Sequence, residues 1–115
     1  MKIIEKQKFN KTESRIQSEI LVEVNKRGHR LFRANAGRIQ DARTGAWIKL
    51  LPKGFPDTCG WRKEDGKFIA IEVKTNKGKL SADQQRFRDF ALTQNIIYGV
   101  ARSAEEALQI IEGSH

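Results

Sequence analysis

Cysteine is almost absent from this 115-residue chain; Cys59 is the only one. An internal disulfide is therefore excluded, and so is a metal centre built on clustered thiolates. A lone thiol fits a reducing compartment. Proline is nearly as scarce: Pro52 and Pro56 are the only two, and both fall in one loop region. No apolar run approaches the roughly 20 residues needed to span a bilayer. The opening MKIIEKQKFNKTE is basic and lacks the apolar run of a secretory signal. A cytoplasmic, non-secreted protein with no membrane partner is expected. Internal repeats, low-complexity segments and linkers are also missing.

What is present suits a soluble globular protein: 38% hydrophobic and 31% charged residues. The length allows one domain with one core. Charge is lopsided, with 22 Lys and Arg against 14 Asp and Glu, a formal net charge of +8. Such an excess favours a polyanion, most simply nucleic acid, over a merely soluble basic protein. No strongly basic amphipathic segment stands out, so a membrane-surface helix is the weaker option.

Patterning along the chain predicts an α/β fold. A helix is expected from near Asn10, capped by Asn10 with Glu13 three residues on, and carrying Ile16, Ile20 and Val24 at helical spacing. Gly28 ends it. HRLFRANA, from His29 to Ala36, reads as a strand. The Gly-punctuated stretch that follows is long for a compact domain, and such loops are often functional. A short strand within it is expected at Ala46 to Leu50. Pro56-Asp57 opens another strand through Trp61, and Asp65-Gly66 is a hairpin signal leading to a strand from Phe68 to Thr75. Ser81 and Gln84 form a capping box for a helix to Asn95, with Leu80, Phe87, Phe90, Ala91 and Gln94 on its packed face. Ile96 to Ala101 is a strand, and Ser103 caps a last helix with Ala107, Leu108 and Ile111 inward. The order is α-β-β-β-α-β-α, with a mixed central sheet flanked by helices, since a strand–helix–strand passage implies a parallel crossover.

The stretch FIAIEVKTNKG, Phe68 to Gly78, carries the chemistry. Side chains alternate along a strand, so Glu72 and Lys74 emerge on one face. A charge beside a packed strand is costly unless paired, hydrated or metal-bound. An ion pair at the strand end is the bland alternative. Asp57 lies on the preceding strand of the same hairpin, and neighbouring strands are about 4.8 Å apart, so the two carboxylates can converge. Two carboxylates suit a hard cation such as Mg²⁺ or Mn²⁺. Such an ion binds phosphate and activates water, while Lys74 can hold the water or offset charge on the phosphate. Those are the needs of phosphodiester hydrolysis. On the first helix, Glu19 sits at the rim of the buried face, where it can reach a cleft.

Pro56-Asp57 followed by Glu72-Val73-Lys74 resembles the PD-(D/E)XK nuclease superfamily, with its restriction-endonuclease-like core. The likeness extends to the VRR-NUC (virus-type replication-repair nuclease) family. Arg33-Ala34-Asn35-Ala36-Gly37 is similar to its R-x-N-x-G turn, and Gly54-Phe55-Pro56-Asp57 to its G-x-P-D motif. Gly78-Lys79-Leu80-Ser81-Ala82-Asp83-Gln84 is similar to G-x-L-S-x-x-Q, and Val100-Ala101-Arg102 to V-x-R. The motifs run in family order through a core of about 13 to 111, which implies a single nuclease domain over residues 1–115, a minimal stand-alone member.

The resemblance implies roles. Asp57 and Glu72 match the metal-binding carboxylates, the Val73 carbonyl a third ligand, and Lys74 the catalytic lysine. Glu19 resembles the first-helix acid of the superfamily, although helix phase also admits Glu13 or Glu23. Gln84 matches a glutamine that arranges the site. Arg33, Asn35 and Arg102 are substrate-side or site-supporting. The basic loop residues Arg38, Arg43, Lys49 and Lys53 are expected to contact backbone phosphates. His29 is read as non-catalytic, Cys59 as a small core residue, and His115 as a disordered terminus. Trp47 and Trp61 are read as core or interface residues, with base stacking open to Trp47.

The expected function is metal-dependent endonucleolytic cutting of DNA, with branched DNA such as a four-way (Holliday) junction as substrate and a homodimer as the acting form. A structure-nonspecific, flap-cleaving or nicking nuclease is the alternative within the class. A non-catalytic DNA-binding module is the alternative outside it.

Overall fold

The computed structural model describes residues 11–113. The proposed Asn10 cap and His115 lie outside them. Helix α1 (Glu13–Lys26) is capped instead by Thr12, whose hydroxyl accepts from the Arg15 N–H at 3.1 Å. Ile16, Ile20 and Val24 recur every four residues and are all buried.

Strand β1 (Arg30–Arg33) is followed by the short strands β2 (Arg38–Gln40) and β3 (Trp47–Lys49). Then come β4 (Thr58–Trp61), β5 (Phe68–Val73), α2 (Ala82–Ala91), β6 (Ile97–Ala101) and α3 (Ala104–Gly113). The main sheet has the order β1-β4-β5-β6. β1 and β5 run antiparallel to β4, and β6 runs parallel to β5. The mixed central sheet flanked by helices is therefore as the sequence predicts, with three helices among the described residues. None of them is long and apolar enough to cross a membrane.

Burial of apolar surface drives the assembly. One sheet face carries Leu31, Ile69, Ile71, Val73, Ile97 and Ala101, which pack against α1 and against Ala107 and Ile111 of α3. Gly60 belongs to the same face, opposite Leu31. A Cβ there would collide with the Arg30 carbonyl, so the close β1–β4 pairing needs glycine.

Further details differ from expectation. β1 stops at Arg33 rather than Ala36. The long loop holds a second, two-stranded sheet, β2 with β3, rather than one short strand; Asp41 Oδ1 closes its turn by accepting from the Arg43 and Thr44 N–H groups at 2.8 and 3.2 Å. α2 ends at Ala91, not Asn95, and Phe90 is 61% exposed. Phe87 and Ala91, one turn apart, form the contact stripe, and Phe90 falls off it.

Candidate active site

The strand register fixes what shares a face. Opposed residues on paired strands point the same way, so Cys59 with Ala70 and Trp61 with Phe68 lie on the face away from the core. Glu72 is two residues beyond Ala70 on that face, and Asp57 two residues before Cys59. Asp57 stands just outside β4, where the ladder would otherwise leave the Val73 N–H unpaired. Its Oδ2 accepts that N–H at 2.8 Å. The adjacent Thr58 hydroxyl, fully buried, donates to the Ile71 carbonyl at 2.9 Å and locks this end of the hairpin.

Glu72 is buried, only 1% exposed. Gln84 Nε2 donates to its Oε2 at 3.2 Å, while Gln84 Oε1 accepts from the Ser81 N–H at 2.9 Å. One side chain thus caps α2 and orients Glu72. Burial, then hydrogen bonding and charge repulsion from Asp57, push the Glu72 carboxyl up to about 9; the nearby Lys74 ammonium opposes this, and Glu13 adds to it. The site therefore combines two acids, Asp57 and Glu72, with an ammonium, and a third acid, Glu13, acts on it from the first helix.

Glu19, half-buried at the edge of the α1 stripe, is engaged by basic neighbours. Lys11 grips its carboxylate at 2.8 and 3.1 Å and Arg15 at 3.5 Å, holding it below its usual range. Glu13 is the first-helix acid whose charge acts on Glu72. Helix phase gives the reason. Glu13 lies in phase with Ile16, Ile20 and Val24 but at the exposed first turn, and Glu19 lies half-buried to the side of that stripe. Among the described residues, no group of three or more His, Cys, Asp and Glu side chains gathers as a metal centre. The donor set is the Asp57–Glu72 pair at the Val73 strand end. It fits a hard divalent cation, because crowding two oxygen-bearing acids in a buried spot is relieved by positive charge.

A cleft of about 530 Å³ opens beside Asp57, walled by Arg33, Asn35, Ile39 and Phe55. Gln17 spans its floor, donating to the Asp57 carbonyl at 3.4 Å and accepting from the Arg33 guanidinium. Arg33 also donates to the Ser18 hydroxyl at 3.1 Å. Sequence reasoning passed over Gln17. Its signal was helical phase, as a polar residue flanking the buried stripe four residues after Glu13. Phe55 packs edge-on to Phe87, with ring centroids 5.3 Å apart, and Phe87 in turn meets Tyr98 at 5.9 Å. Gly54 permits this closure; its φ is +93°, and a Cβ would lie 2.6 Å from the Asp83 carbonyl oxygen.

The basic residues divide into several groups. Arg102 donates to the carbonyls of Thr75 and Gly78 and so clamps the loop after Lys74; its guanidinium is engaged inside the fold rather than held out to substrate. Lys53 is 3.7 Å from Asp83. Arg38 and Lys49 face each other across the β2–β3 ribbon, and Arg43 sits in its turn. His29 is buried and hydrogen-bonded on both nitrogens, at the end of the sheet away from Asp57 and Glu72.

A comparison with family models matches residues 11–105 to the VRR-NUC domain, which spans Asp57, Glu72, Lys74 and Gln84. No curated protein matches the chain. The family is one of nucleases, whose chemistry points to DNA as substrate and to a divalent metal. With the match covering most of its length and the carboxylate pair at the strand end, the chain belongs to the VRR-NUC domain family.

Proposed function

We propose that this chain is a Mg²⁺- or Mn²⁺-dependent endodeoxyribonuclease that hydrolyses phosphodiester bonds in branched DNA, four-way junctions foremost. The observation that carries the reading is the Asp57–Glu72 pair, forced together at one strand end with Lys74 alongside. Asp57, Glu72 and the Val73 carbonyl would hold the cation. Once bound, such an ion polarises a phosphate oxygen and lowers the pKa of a water. The chain's own residues do the rest. Val73 N–H fixes Asp57, Gln84 fixes Glu72, and the Lys74 ammonium steadies the attacking water or the charge growing on the phosphate. Glu13 takes the rim position first assigned to Glu19.

Arg33 and Asn35 line the path of the cut strand. Arg38, Arg43, Lys49 and Lys53 meet backbone phosphates, so affinity should fall with salt and a quadruple Ala variant should flatten that slope. Phe32, Trp61 and Phe68 expose 52%, 48% and 39% of their surface on one sheet face. We assign this apolar area to a two-fold homodimer, whose symmetry suits a four-way junction. Only monomer in light scattering, with and without DNA, would count against it. A single thiol also accords with work in an intracellular, reducing setting.

Cleavage of a labelled four-way junction and a matched linear duplex in Mg²⁺, Mn²⁺ and EDTA tests the reading, beside Asp57→Ala and Lys74→Ala. Metal-dependent cutting of the junction, lost in both variants, is expected. Equal cutting of both DNAs would indicate a structure-nonspecific or nicking nuclease. Binding without cutting in any metal would indicate a non-catalytic DNA module.

A further inference from the structure

The β2–β3 ribbon buries almost nothing of its own: all six of its strand residues are exposed. A two-stranded ribbon is marginal by itself. Backbone bonds pin this one at its base, from Gly37 N–H to the Leu51 carbonyl and from Leu50 N–H to the Gly37 carbonyl, at 2.7 and 2.8 Å. Its register opposes Arg38 to Lys49 and Gln40 to Trp47, so these four side chains share one face. Ile39 and Ile48 share the other. Ile39 lines the Asp57 cleft, so the Trp47 face turns away from it.

On that outer face the Arg38 guanidinium sits 4.9 Å from the centre of the Trp47 ring. Trp47 is nevertheless 59% exposed. One side of the indole is braced by a cation and the other is open. A flat ring held outward costs exposed apolar area and contributes nothing to the core. It does meet the need of a stacking platform, in which arginine backs an aromatic ring and a base lies on its free face.

We propose that Trp47 is a base-stacking residue whose open face takes a nucleobase that lies outside continuous duplex stacking. The proposal rests on the DNA reading above and deepens it. Unpaired bases and the last pair of a DNA arm both offer a free π-face; the interior of a duplex does not. Trp47 thus favours DNA with a branch, an arm or an end. The ribbon stands between the stacked base and the cleft, which places that base outside the strand being cut.

The test is steady-state fluorescence of 2-aminopurine in DNA bound by the full chain, with Ca²⁺ replacing Mg²⁺ so that binding is read without cutting. The probe is placed in turn in a single-stranded arm, at the blunt end of a duplex and in a duplex centre. Quenching in the arm or at the end, and none at the centre, is expected. Trp47→Ala should remove it and weaken binding of the arm-bearing DNA by roughly 5- to 100-fold. Trp47→Phe should keep most of it and Phe90→Ala, at an exposed aromatic residue with no assigned role, all of it, with the melting temperatures of the Trp47 variants unchanged because Trp47 is outside the core. Quenching that survives Trp47→Ala overturns the proposal. So does uniform binding of all three DNAs without quenching, which leaves the nuclease reading intact. A blue shift of the Trp47 emission on self-association without DNA, read with Trp61→Phe so that Trp47 is the only indole, also overturns it, since a second copy would then cover the ring. Failure to bind any DNA would remove both readings.

Discussion

Two ionisable side chains are buried at opposite ends of the central sheet, and their surroundings differ in sign. His29, just before β1, is fully buried. The Lys63 N–H donates to its Nδ1 at 3.1 Å, which leaves Nε2 to donate to Glu112 at 2.8 Å. Arg27 binds the same Glu112 carboxylate through two bonds, at 2.6 and 3.2 Å. Those partners hold Glu112 below its usual range, His29 first. Every group there has its partner, and α1, α3 and the β4–β5 turn are tied together. Glu72, at the other end, is buried against a second acid and pushed the opposite way. Complementary partners mark a structural cluster, whereas crowded like groups mark a site built for something more.

Substitution at the two ends should therefore fail differently. Asp57→Ala or Lys74→Ala should lower cleavage by on the order of a thousandfold with the fold intact. Circular dichroism and a cleavage assay on the same preparations check this. Glu112→Ala should do the reverse. Stranding His29 and Arg27 should cost about 1–3 kcal/mol of stability, and the folded fraction should still cut. Denaturant titration measures the first and specific activity the second.

pH sharpens the contrast. Unfolded, Glu72 titrates near 4.5; folded, near 9. Across that window the folded state holds a proton that the unfolded state has lost, so stability of the metal-free protein should fall as pH rises through it. Glu72→Gln should flatten the fall, and added Mg²⁺ should reverse it. Glu112 has the opposite sign: its lowered value gives stability at neutral pH that is lost as pH falls through and below the ordinary carboxylate range. Melting temperature against pH for wild type, Glu72→Gln and Glu112→Gln separates the two. The smallest effect concerns the first helix. Glu13→Ala should slow cleavage by roughly tenfold, as loss of a supporting acid does, whereas Glu19→Ala, removing a carboxylate already held by Lys11 and Arg15, should change it little.

Much of this was legible in the sequence because it is local. Period-two alternation placed Glu72 and Lys74 on one face, and the Ser81–Gln84 capping box was written in the chain. Proximity of Asp57 to Glu72 followed from one hairpin. What stayed hidden depended on longer-range placement. Which first-helix acid, Glu13, Glu19 or Glu23, stands nearest the site depends on the helix phase relative to the sheet. The clamp by Arg102 on the Thr75–Gly78 loop joins segments 24 and 27 residues apart, and a V-x-R triplet does not say which way the arginine turns. The β2–β3 ribbon was half seen, since Arg38–Gln40 is too short for alternation to register.

The most direct measurement is calorimetric titration of Mn²⁺ into wild type and Glu72→Gln near pH 7.5, in two buffers of different ionisation enthalpy. A carboxyl pushed to about 9 must lose its proton to bind a cation. Saturable binding with release of about one proton, absent in Glu72→Gln, is the expected result. Binding that is unchanged in Glu72→Gln, or binding with no proton released, would contradict the assignment of this pair as the cation site.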